Sequence, residues 1–441
     1  MANVLLIGNG AREHAVAEAI VRSGRRPNLF SYMKANNPGI ASLSQKNLLG
    51  SYSDLGTIAK FAADCKIDLA VIGPEDPLNN GVADALAGAG VPSVGPKKSL
   101  ARLETSKTFT RELLDKYGIP GNPAFRIFTS MDGIDEFLRE LGESVIKPDG
   151  LTGGKGVRVQ GDHYQTRLEA LEYCREVLSE HSRVIVEEKL DGEEFSLQCI
   201  TDGRTVVATP PVQDHKRRFV DDKGPNTGGM GSYSCADHSL PFITPGDVAE
   251  GLEITRKVAE AVYRETGEFY KGVMYGGFLV SRKGIKLLEY NARFGDPEAM
   301  NIFPILQTDF LDICEAVVNG TLDKLDVSFE KKATVCKYIV PKGYGLPADH
   351  PDASSTAAKI EIGDVGSARL YYSSVDQRPD GLYMSTSRAI GVVGIALTIE
   401  EAERIAENAI GAVKGPVAHR PDIGTKPLLE KRVQHMKQVR K

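Results

Sequence analysis

The first 95 residues alternate short apolar runs with helix-like segments, and this alternation is the strongest constraint on the fold. Residues 4–7 form a continuous apolar run, as is typical of a parallel strand buried on both faces. Residues 8–10 (Gly-Asn-Gly) follow, and apolar residues then recur at helical spacing as far as Gly24. A second apolar run, 69–72, ends in Gly-Pro-Glu at 73–75. The pattern predicts a doubly wound α/β domain that binds ligands at the carboxyl ends of these strands.

The turn at residues 8–10 does not match the dinucleotide-binding fingerprint. That fingerprint, Gly-x-Gly-x-x-Gly, requires a glycine where this chain has Glu13. Arg12 also lies in the turn, and a guanidinium beside a helix N-terminus suits a terminal phosphate better than a bridging pyrophosphate. The turn therefore favours a phosphomonoester ligand. An exposed arginine without a ligand is the alternative interpretation.

Glycine is the one residue type in mild excess, with 45 of 441 residues, or about 10% against a usual ~7%. The glycines cluster at residues 8–10, 150–156, 224–231 and 276–277. Clustered glycines mark backbone that turns sharply or approaches a ligand closely. Any single cluster also fits an ordinary loop, but four clusters with chemically matched neighbours favour ligand contact.

The second glycine cluster follows a predicted strand at residues 145–148, and this strand contains Lys147. A lysine in an apolar strand is costly to bury without an anion. The loop is not a Walker A sequence, because Gly156 rather than Ser or Thr follows Lys155. A glycine-rich flap can still cover a triphosphate through backbone N–H groups. Lys147 and Lys107, which opens a predicted helix, can then supply positive charge beside it.

Two further segments have the composition of ligand-binding surfaces. The apolar strand 184–188, with acidic residues after it, suits an adenine base and ribose hydroxyls, and a surface acidic turn is the alternative. Residues 195–209 predict two strands that pair around an Asp-Gly turn. The polar string 213–217 and the glycine loop 224–231 then indicate a substrate-binding surface, with a disordered surface loop as the alternative.

Residues 277–291 predict a β-hairpin with its turn near 282–284. On the return strand, a period of two places Leu287, Glu289 and Asn291 on one face. Two oxygen ligands on a strand can share one hard cation when phosphates supply most of the other ligands. The sequence therefore predicts a Mg²⁺ site at Glu289 and Asn291.

Composition argues against several functional classes. A net charge of -5 and a pI near 6.0 disfavour a general nucleic-acid binder. No apolar run approaches the ~18 residues that a membrane span requires, and the N-terminus lacks the pattern of a signal peptide. The six cysteines stand at least 22 residues apart, which disfavours a zinc site or a disulfide framework and indicates reduced thiols.

The C-terminal part of the chain, residues 326–441, predicts a small α+β domain without recognisable chemistry. Its clearest elements are a strand near 391–397 and a helix near 400–413. The last dozen residues carry five Lys or Arg against one Glu. A solvated terminal helix explains this basic tail better than contact with nucleic acid.

Taken together, the motifs resemble those of the ATP-grasp ligases, and among these the family that joins glycine to 5-phosphoribosylamine. The segments that carry the resemblance are 8–14, 73–75, 146–157, 213–217, 224–231 and 289–298. It covers the whole chain and implies an N-terminal doubly wound α/β domain (1–104), an ATP-grasp domain (105–325, with a flap subdomain at about 122–190) and a C-terminal α+β domain (326–441). The implied reaction gives glycinamide ribonucleotide, ADP and phosphate through glycyl phosphate, in purine biosynthesis.

The resemblance also implies roles for individual residues of this chain. ATP is expected to bind Lys107, Lys147, Gly153, Gly154, Lys155, Gly156, Glu187, Glu188, Leu190 and Glu194. The substrates are expected to bind Gly8, Asn9, Gly10, Arg12, Glu75, Pro225, Asn226, Thr227, Gly228, Gly229 and Met230. Mg²⁺ or Mn²⁺ is expected at Glu289 and Asn291, and acyl transfer at Asp214, Lys216, Arg293 and Asp296.

Three other functions stay open at this point. An ATP-grasp carboxylase would use bicarbonate in place of glycine. A nicotinamide dehydrogenase would use the first turn, although Glu13 argues against it. A non-enzymatic nucleotide sensor would have the same fold, but the strand with Glu289 and Asn291 would take no part in catalysis. The expected protein is cytoplasmic, a monomer or weak homo-oligomer, with small-molecule substrates and no nucleic-acid or membrane partner.

Overall fold

The computed structural model describes residues 1–151, 156–347, 350–351, 353 and 357–441. Three of the predicted flap residues, Gly153, Gly154 and Lys155, lie outside these ranges. Among the helices of the described ranges, none combines the length and apolarity needed to cross a bilayer. The described strands form six sheets.

The N-terminal sheet is parallel throughout. Its strands are β1 (Asn3–Ile7), β2 (Asn28–Met33), β3 (Lys46–Leu49), β4 (Leu69–Ile72) and β5 (Ser93–Val94), with helices α1 (Ala11–Val21), α2 (Pro38–Leu43), α3 (Leu55–Asp64), α4 (Glu75–Asn80) and α5 (Val82–Gly88). The spatial order is β3-β2-β1-β4-β5, so the turns after β1 and β4 lie side by side. Gly73 donates its N–H to Ile7 O at 2.9 Å. The predicted doubly wound sheet is confirmed, and the edge at which such sheets bind ligands lies at these two turns.

The second sheet forms a separate small unit with its own apolar core. Helices α6 (Arg102–Thr105) and α7 (Lys107–Lys116) lead to it, and it contains β6 (Phe125–Phe128), β7 (Ser144–Pro148), β8 (Arg158–Val159) and β9 (Val184–Glu188) with helices α8 (Ile134–Leu141) and α9 (Arg167–Glu180). Its antiparallel order is β6-β9-β7-β8. Phe128, Ile146 and Val186 belong to a hydrophobic cluster distinct from the main core.

The third sheet carries the predicted metal strand. It consists of β10 (Gly192–Thr201), β11 (Val206–Ala208), β16 (Gly272–Ser281) and β17 (Gly284–Asn291), in the order β11-β10-β16-β17, and helix α10 (Pro245–Thr266) packs against it. Both predicted strand pairs are present: Thr201 pairs with Val206, and Ser281 pairs with Gly284 across the hairpin turn.

Strand β17 departs from the predicted alternation at one residue. Gly277 pairs with Glu289 but Phe278 pairs with Leu287, so Leu288 is an extra residue in the ladder, a β-bulge. Leu287 is fully buried in the core, whereas Glu289 and Asn291 line a cleft. The prediction that Leu287 shares their face was wrong, because a period of two assumes an unbroken ladder.

The fourth sheet joins the substrate-binding segment to the C-terminal part of the chain. Its strands are β12 (Gln213–Asp214), β15 (Gly231–Ser234), β18 (Ala333–Pro341), β20 (Arg369–Tyr372), β23 (Ile390–Ala396) and β25 (Val417–Ala418). The order is β12-β15-β18-β23-β20, with β25 also on β18, and Gly231 pairs with Lys337. Both ends of the predicted substrate loop are therefore anchored in a sheet whose other strands come from residues after 326.

The remaining elements complete the C-terminal region and the substrate loop. They are β13 (Arg217–Phe219), β14 (Lys223–Asn226), β19 (Ala358–Ile362), β21 (Val375–Arg378), β22 (Gly381–Met384), β24 (Val413–Lys414), α11 (Ala299–Ile302), α12 (Phe310–Asn319), α13 (Ile399–Gly411) and α14 (Lys426–Val439), with 3₁₀ turns at Val220–Asp222, Phe303–Ile305 and Leu322–Lys324. The predicted strand and helix near 391–413 correspond to β23 and α13. The basic tail forms α14.

Candidate active site

One cleft of about 890 Å³ brings together segments from all parts of the chain. Of the predicted site residues, it is lined by Arg12, Glu75, Lys107, Lys147, Glu187, Glu188, Leu190, Glu194, Asp214, Lys216, Asn226, Thr227, Gly228, Glu289, Asn291, Arg293 and Asp296. The residues that do not line it are Gly8, Asn9, Gly10, Gly156, Pro225, Gly229 and Met230. Met230 is fully buried in the main core and does not line the cleft, so its side chain does not contact a ligand there.

Glu13 occupies the space that the glycines of the first turn leave open. Its carboxylate Oε2 accepts the N–H of Gly10 at 2.6 Å. A Cβ at Gly8 would lie 2.4 Å from Glu13 Cγ, and one at Gly73 only 2.3 Å from it. Gly8 and Gly73 therefore leave room for the Glu13 side chain between the helix and the strand. Since Gly10 N–H already has an acceptor, this turn cannot offer that group to a phosphate.

Arg12 is buried beside the cleft and is bonded on several sides. Its Nε pairs with Glu13, its Nη1 donates to Phe294 O at 3.0 Å, and its Nη2 lies 3.9 Å from Glu75 Oε2. Burial raises the pKa of Glu75, but Arg293 and Arg12 outweigh this and lower that pKa to about 2. The predicted phosphate site thus contains a guanidinium already balanced by two carboxylates.

The predicted nucleotide wall is built around a buried ion pair. Lys147 Nζ lies 2.6 Å from Glu187 Oε2, and Arg111 clamps the same carboxylate with bonds of 2.7 and 3.1 Å. Burial raises the pKa of Glu187, but Arg111 and Lys147 outweigh this and hold it at about 2. The anion that Lys147 needs is therefore supplied by the protein. The Glu187 carboxylate is committed to these two cations.

The other groups of this wall differ in how many hydrogen bonds they already make within the protein. Lys107 Nζ donates to Gly150 O at 2.6 Å, at the start of the glycine-rich loop. Glu188 holds the wall together, since its Oε1 accepts the N–H of Ala124 at 2.9 Å. Within the described residues, the backbone N–H and C=O of Leu190 have no hydrogen-bond partner, and Leu190 lines the cleft.

Glu289 and Asn291 present two oxygen donors to the cleft. Burial raises the pKa of Glu289, but Lys216, Lys107 and Lys147 outweigh this and lower it, so the carboxylate stays ionised. Asn291 Oδ1 accepts from Arg293 Nη2 at 3.1 Å, which fixes the amide. The described residues contain no group of three or more His, Cys, Asp or Glu side chains arranged for a metal. The pair fits a hard cation that takes its remaining ligands from phosphates and water.

Lys216 lies among the carboxylates at the centre of the cleft. Its Nζ is 3.7 Å from Glu194 Oε2 and 3.9 Å from Glu289 Oε1. Burial lowers the pKa of Lys216, but Glu194 and Glu289 outweigh this and raise it. Lys216 thus remains a cation between the predicted ribose and metal ligands.

Asp214 shares the cleft with a second carboxylate, Glu298. Burial, and then repulsion from Glu298, raise the pKa of Asp214 well above its usual range. Glu298 is itself buried, and its Oε1 accepts from Tyr275 OH at 2.7 Å. Two neighbouring carboxylates suit a substrate ammonium group. The sequence contained Glu298 at the end of the metal-strand motif, but nothing local marked it as a site residue.

Arg293 and Asp296 connect the centre of the cleft to its walls. Arg293 lies 3.3 Å from Glu75 and 3.1 Å from Glu104, in addition to its bond with Asn291. Asp296 Oδ1 accepts from Tyr338 OH at 2.6 Å and pairs with Arg388 at 3.1 Å. Both side chains are thus held by several partners, and those of Asp296 come from the C-terminal region.

The expectation that residues 326–441 carry no site chemistry was wrong, because Arg388 and Arg432 line the same cleft. The basic tail is also not a free solvated helix. Within α14, Arg432 pairs with Glu193 at 3.2 Å and with Asp222, and His435 Nδ1 lies 2.7 Å from Glu193 Oε1. No local motif marks these residues, since their ion-pair partners lie 92 or more positions earlier in the chain.

Family models match most of the chain. The model described as "Phosphoribosylglycinamide synthetase, N domain" matches residues 2–104, and "Phosphoribosylglycinamide synthetase, ATP-grasp (A) domain" matches residues 105–299. The phosphoribosylamine–glycine ligase of Methanococcoides burtonii is 48% identical over 439 residues and covers 100% of both chains. That of Methanocaldococcus jannaschii is 48% identical over 448 residues, covering 99% of this chain and 100% of the relative.

Solved structures share the fold. A crystal structure of phosphoribosylamine–glycine ligase from Thermotoga maritima superposes with a TM-score of 0.79 at 26% identity, covering 96% of this chain and 100% of that one. The biotin carboxylase domain of Hydrogenobacter thermophilus 2-oxoglutarate carboxylase, in complex with MgADP and bicarbonate, has a TM-score of 0.71 at 15% identity and covers 99% and 93% of the two chains. The second likeness concerns the fold alone. The predicted multidomain ATP-grasp architecture is confirmed.

Proposed function

The chain belongs to the phosphoribosylamine–glycine ligase family, and we propose that it performs this family's reaction through a glycyl phosphate intermediate. The reaction is the ATP-dependent ligation of glycine to 5-phosphoribosylamine in purine biosynthesis. The observation that carries the proposal is the single cleft in which a lysine-lined nucleotide wall, an oxygen-donor strand and a pair of buried carboxylates meet.

In the first step, the glycine carboxylate attacks the γ-phosphorus of ATP and ADP leaves. Lys107 and Lys147 stand where they can hold the phosphate oxygens, and Lys216 adds a third positive charge. Leu190 presents its free backbone edge to adenine, and Glu194 accepts from the ribose hydroxyls. Glu289 and Asn291 would hold Mg²⁺ or Mn²⁺, which when bound neutralises phosphate charge. The protein's part is to position reactants and neutralise charge, without a covalent nucleophile.

In the second step, the amine of phosphoribosylamine attacks the glycyl carbonyl carbon and phosphate leaves, with the amine proton passing to the phosphate. Asp214 and Glu298 balance the ammonium group of glycine while this happens. Asn226, Thr227 and Gly228 line the substrate side of the cleft. Arg12 and Glu75 face the phosphoribosyl group from the N-terminal turn. Arg293 orients Asn291 and Glu75 through its polar contacts with both.

Several properties of the whole protein belong to the same proposal. ATP is the co-substrate, and the substrates are small molecules. We expect a cytoplasmic monomer or weak homo-oligomer with no nucleic-acid or membrane partner. The three domains are proposed at 1–104, 105–325 and 326–441. The junction of the two family models between residues 104 and 105 supports the first boundary.

The test is ADP release measured with freshly generated phosphoribosylamine. We expect release that depends on both glycine and phosphoribosylamine, with glycinamide ribonucleotide formed in equal amount. Bicarbonate in place of glycine is the control, because an ATP-grasp carboxylase would use bicarbonate. Bicarbonate-dependent release without any response to glycine would contradict the proposal.

A further inference from the structure

Arg388 reaches the cleft from the C-terminal region, between β22 and β23. One nitrogen, Nη1, makes all of its polar contacts: it donates to Asp296 O at 2.9 Å and to Gly229 O at 3.2 Å, and lies 3.1 Å from Asp296 Oδ1. The guanidinium also lies 4.5 Å from the centre of the Tyr338 ring. The side chain is therefore rigidly placed, although only one of its three nitrogens is used.

The opposite edge of the guanidinium, formed by Nε and Nη2, has no hydrogen-bond or ion-pair partner within the described part of the chain. The side chain of Arg388 is 15% exposed, so it is largely removed from bulk solvent. Two parallel N–H groups on one edge match the two oxygens of a carboxylate or phosphate. A donor edge that no described protein group occupies is available to an oxyanion bound in the cleft.

Gly228 packs against the flat face of the Arg388 guanidinium. A Cβ at position 228 would lie 3.2 Å from Arg388 Cζ, 3.3 Å from Nη2 and 3.4 Å from Nε. Gly228 does not have a positive φ, so its backbone conformation is one that other residues adopt. The position therefore needs glycine for space rather than for conformation. Gly228 and Arg388 both line the cleft, and the glycine lets the guanidinium lie close to the backbone there.

We propose that the Nε–Nη2 edge of Arg388 binds an oxyanion of a substrate, either the carboxylate of glycine or the 5'-phosphate of phosphoribosylamine. Asp214 lies beside Arg388 at Gly229, since a Cβ there would be 2.8 Å from Asp214 Oδ1 and 3.4 Å from Arg388 Nη1. A carboxyl group and a guanidinium thus lie next to each other at one short stretch of backbone, where a small substrate with an amino group and an oxyanion can contact both. This inference rests on the proposed function.

The experiment compares Arg388→Met and Gly228→Ala with the wild type in the full ligation reaction. KM is measured separately for glycine, phosphoribosylamine and ATP, and thermal unfolding is followed for each variant. Arg378→Met is the matched control, because Arg378 is an exposed arginine of the same region that pairs with Asp376 outside the cleft. Gly228→Ala keeps the arginine but places a methyl group 3.2 Å from Arg388 Cζ, so the guanidinium has to shift from its position.

We expect both variants to raise KM for one substrate, glycine or phosphoribosylamine, by about 10- to 100-fold, with KM for ATP within about twofold of the wild type. The substrate whose KM rises identifies the bound oxyanion. The inference is overturned if neither KM differs from that of Arg378→Met, or if KM for ATP rises in parallel with the others. Should Arg388→Met fail to fold, Gly228→Ala decides by the same criteria. Absence of glycine-dependent ADP release in the wild type would instead contradict the proposed function.

Discussion

The N-terminal turn and the C-terminal region both supply arginines to the cleft, and they hold those arginines in different ways. Arg12 pairs with Glu13, its neighbour in sequence, and with Glu75 on the adjacent turn. Arg388 and Arg432 pair with Asp296, in the turn after β17, and with Glu193 in β10, both in distant parts of the chain. A buried guanidinium needs an acceptor in either case. The comparison shows that a short motif contains its own counter-ion, whereas an isolated arginine depends on the assembled fold.

The difference extends to the backbone around each arginine. At the N-terminal turn, Gly8 and Gly73 leave room for the Glu13 side chain within the same parallel sheet. In the C-terminal region, Arg420 is fully buried and donates to Arg217 O at 3.1 Å, while it pairs with Asp222 at 3.0 Å. These contacts, with those of Arg432, fasten the segment after Lys216 to the C-terminal region. We therefore expect the motif residues to affect chemistry, and Arg420 and Arg432 to affect the placement of the walls.

The largest effect is expected for a motif residue, Glu289. Glu289→Ala removes an ionised oxygen donor from the cleft, and we expect the rate of ADP formation to fall by roughly 1,000-fold or more. The unfolding temperature should be nearly unchanged, because the side chain lies in the cleft rather than in the core. Glu361→Ala, at an exposed strand position, is the control. Turnover close to that of the control would exclude Glu289 as a metal ligand.

A substitution of Glu187 tests whether the stability of the protein depends on the ion pairs of this residue with Arg111 and Lys147. Its pKa of about 2 lies below the usual ~4.3 of the unfolded chain, so its ionised form stabilises the protein above pH 4.3, and this is lost as pH falls towards 2. Glu187→Gln should lower the free energy of unfolding by about 3 kcal/mol at pH 7, since Arg111 and Lys147 lose their counter-ion.

The measurement for Glu187 is denaturant unfolding at several pH values between 7 and 3, with Glu361→Gln as control. The difference between the wild type and Glu187→Gln should be largest near pH 7 and should shrink below pH 4.3. A difference that stays constant over this range would show that the ionised carboxylate is not the stabilising form.

The smallest effect is expected for Arg432, whose contact with the nucleotide is indirect. Glu193 precedes Glu194, so loss of the Arg432–Glu193 pair should let the ribose ligand move. We expect Arg432→Met to raise KM for ATP by about 3- to 10-fold and to leave KM for glycine unchanged. Arg440→Met is the matched control on the same helix, since Arg440 pairs with Asp247 at 2.5 Å. If the two variants have equal KM values for ATP, the Arg432–Glu193 pair does not position the wall of the cleft, and this prediction is wrong.

Much of the architecture could be predicted because it depends on local patterns. The parallel first sheet followed from apolar runs that end in glycine turns, and the hairpin of β16 and β17 followed from its turn residues. The pairing of Lys147 with an anion followed from the cost of burying a charge, although the anion is Glu187. The orientation of Leu287 could not be predicted, since the bulge at Leu288 depends on the register with β16.

The sequence by itself determined the chemistry of the cleft: which lysines, carboxylates and glycines are available, and in what order along the strands they occur. Only the tertiary structure decided which of these groups are already paired and which face a ligand. Glu187 is committed to Arg111 and Lys147 and the N–H of Gly10 to Glu13, whereas the Nε–Nη2 edge of Arg388 has no partner within the described residues. The physical reason is that local spacing sets the direction of a side chain, whereas its pairing depends on segments that the sheets bring together from distant positions.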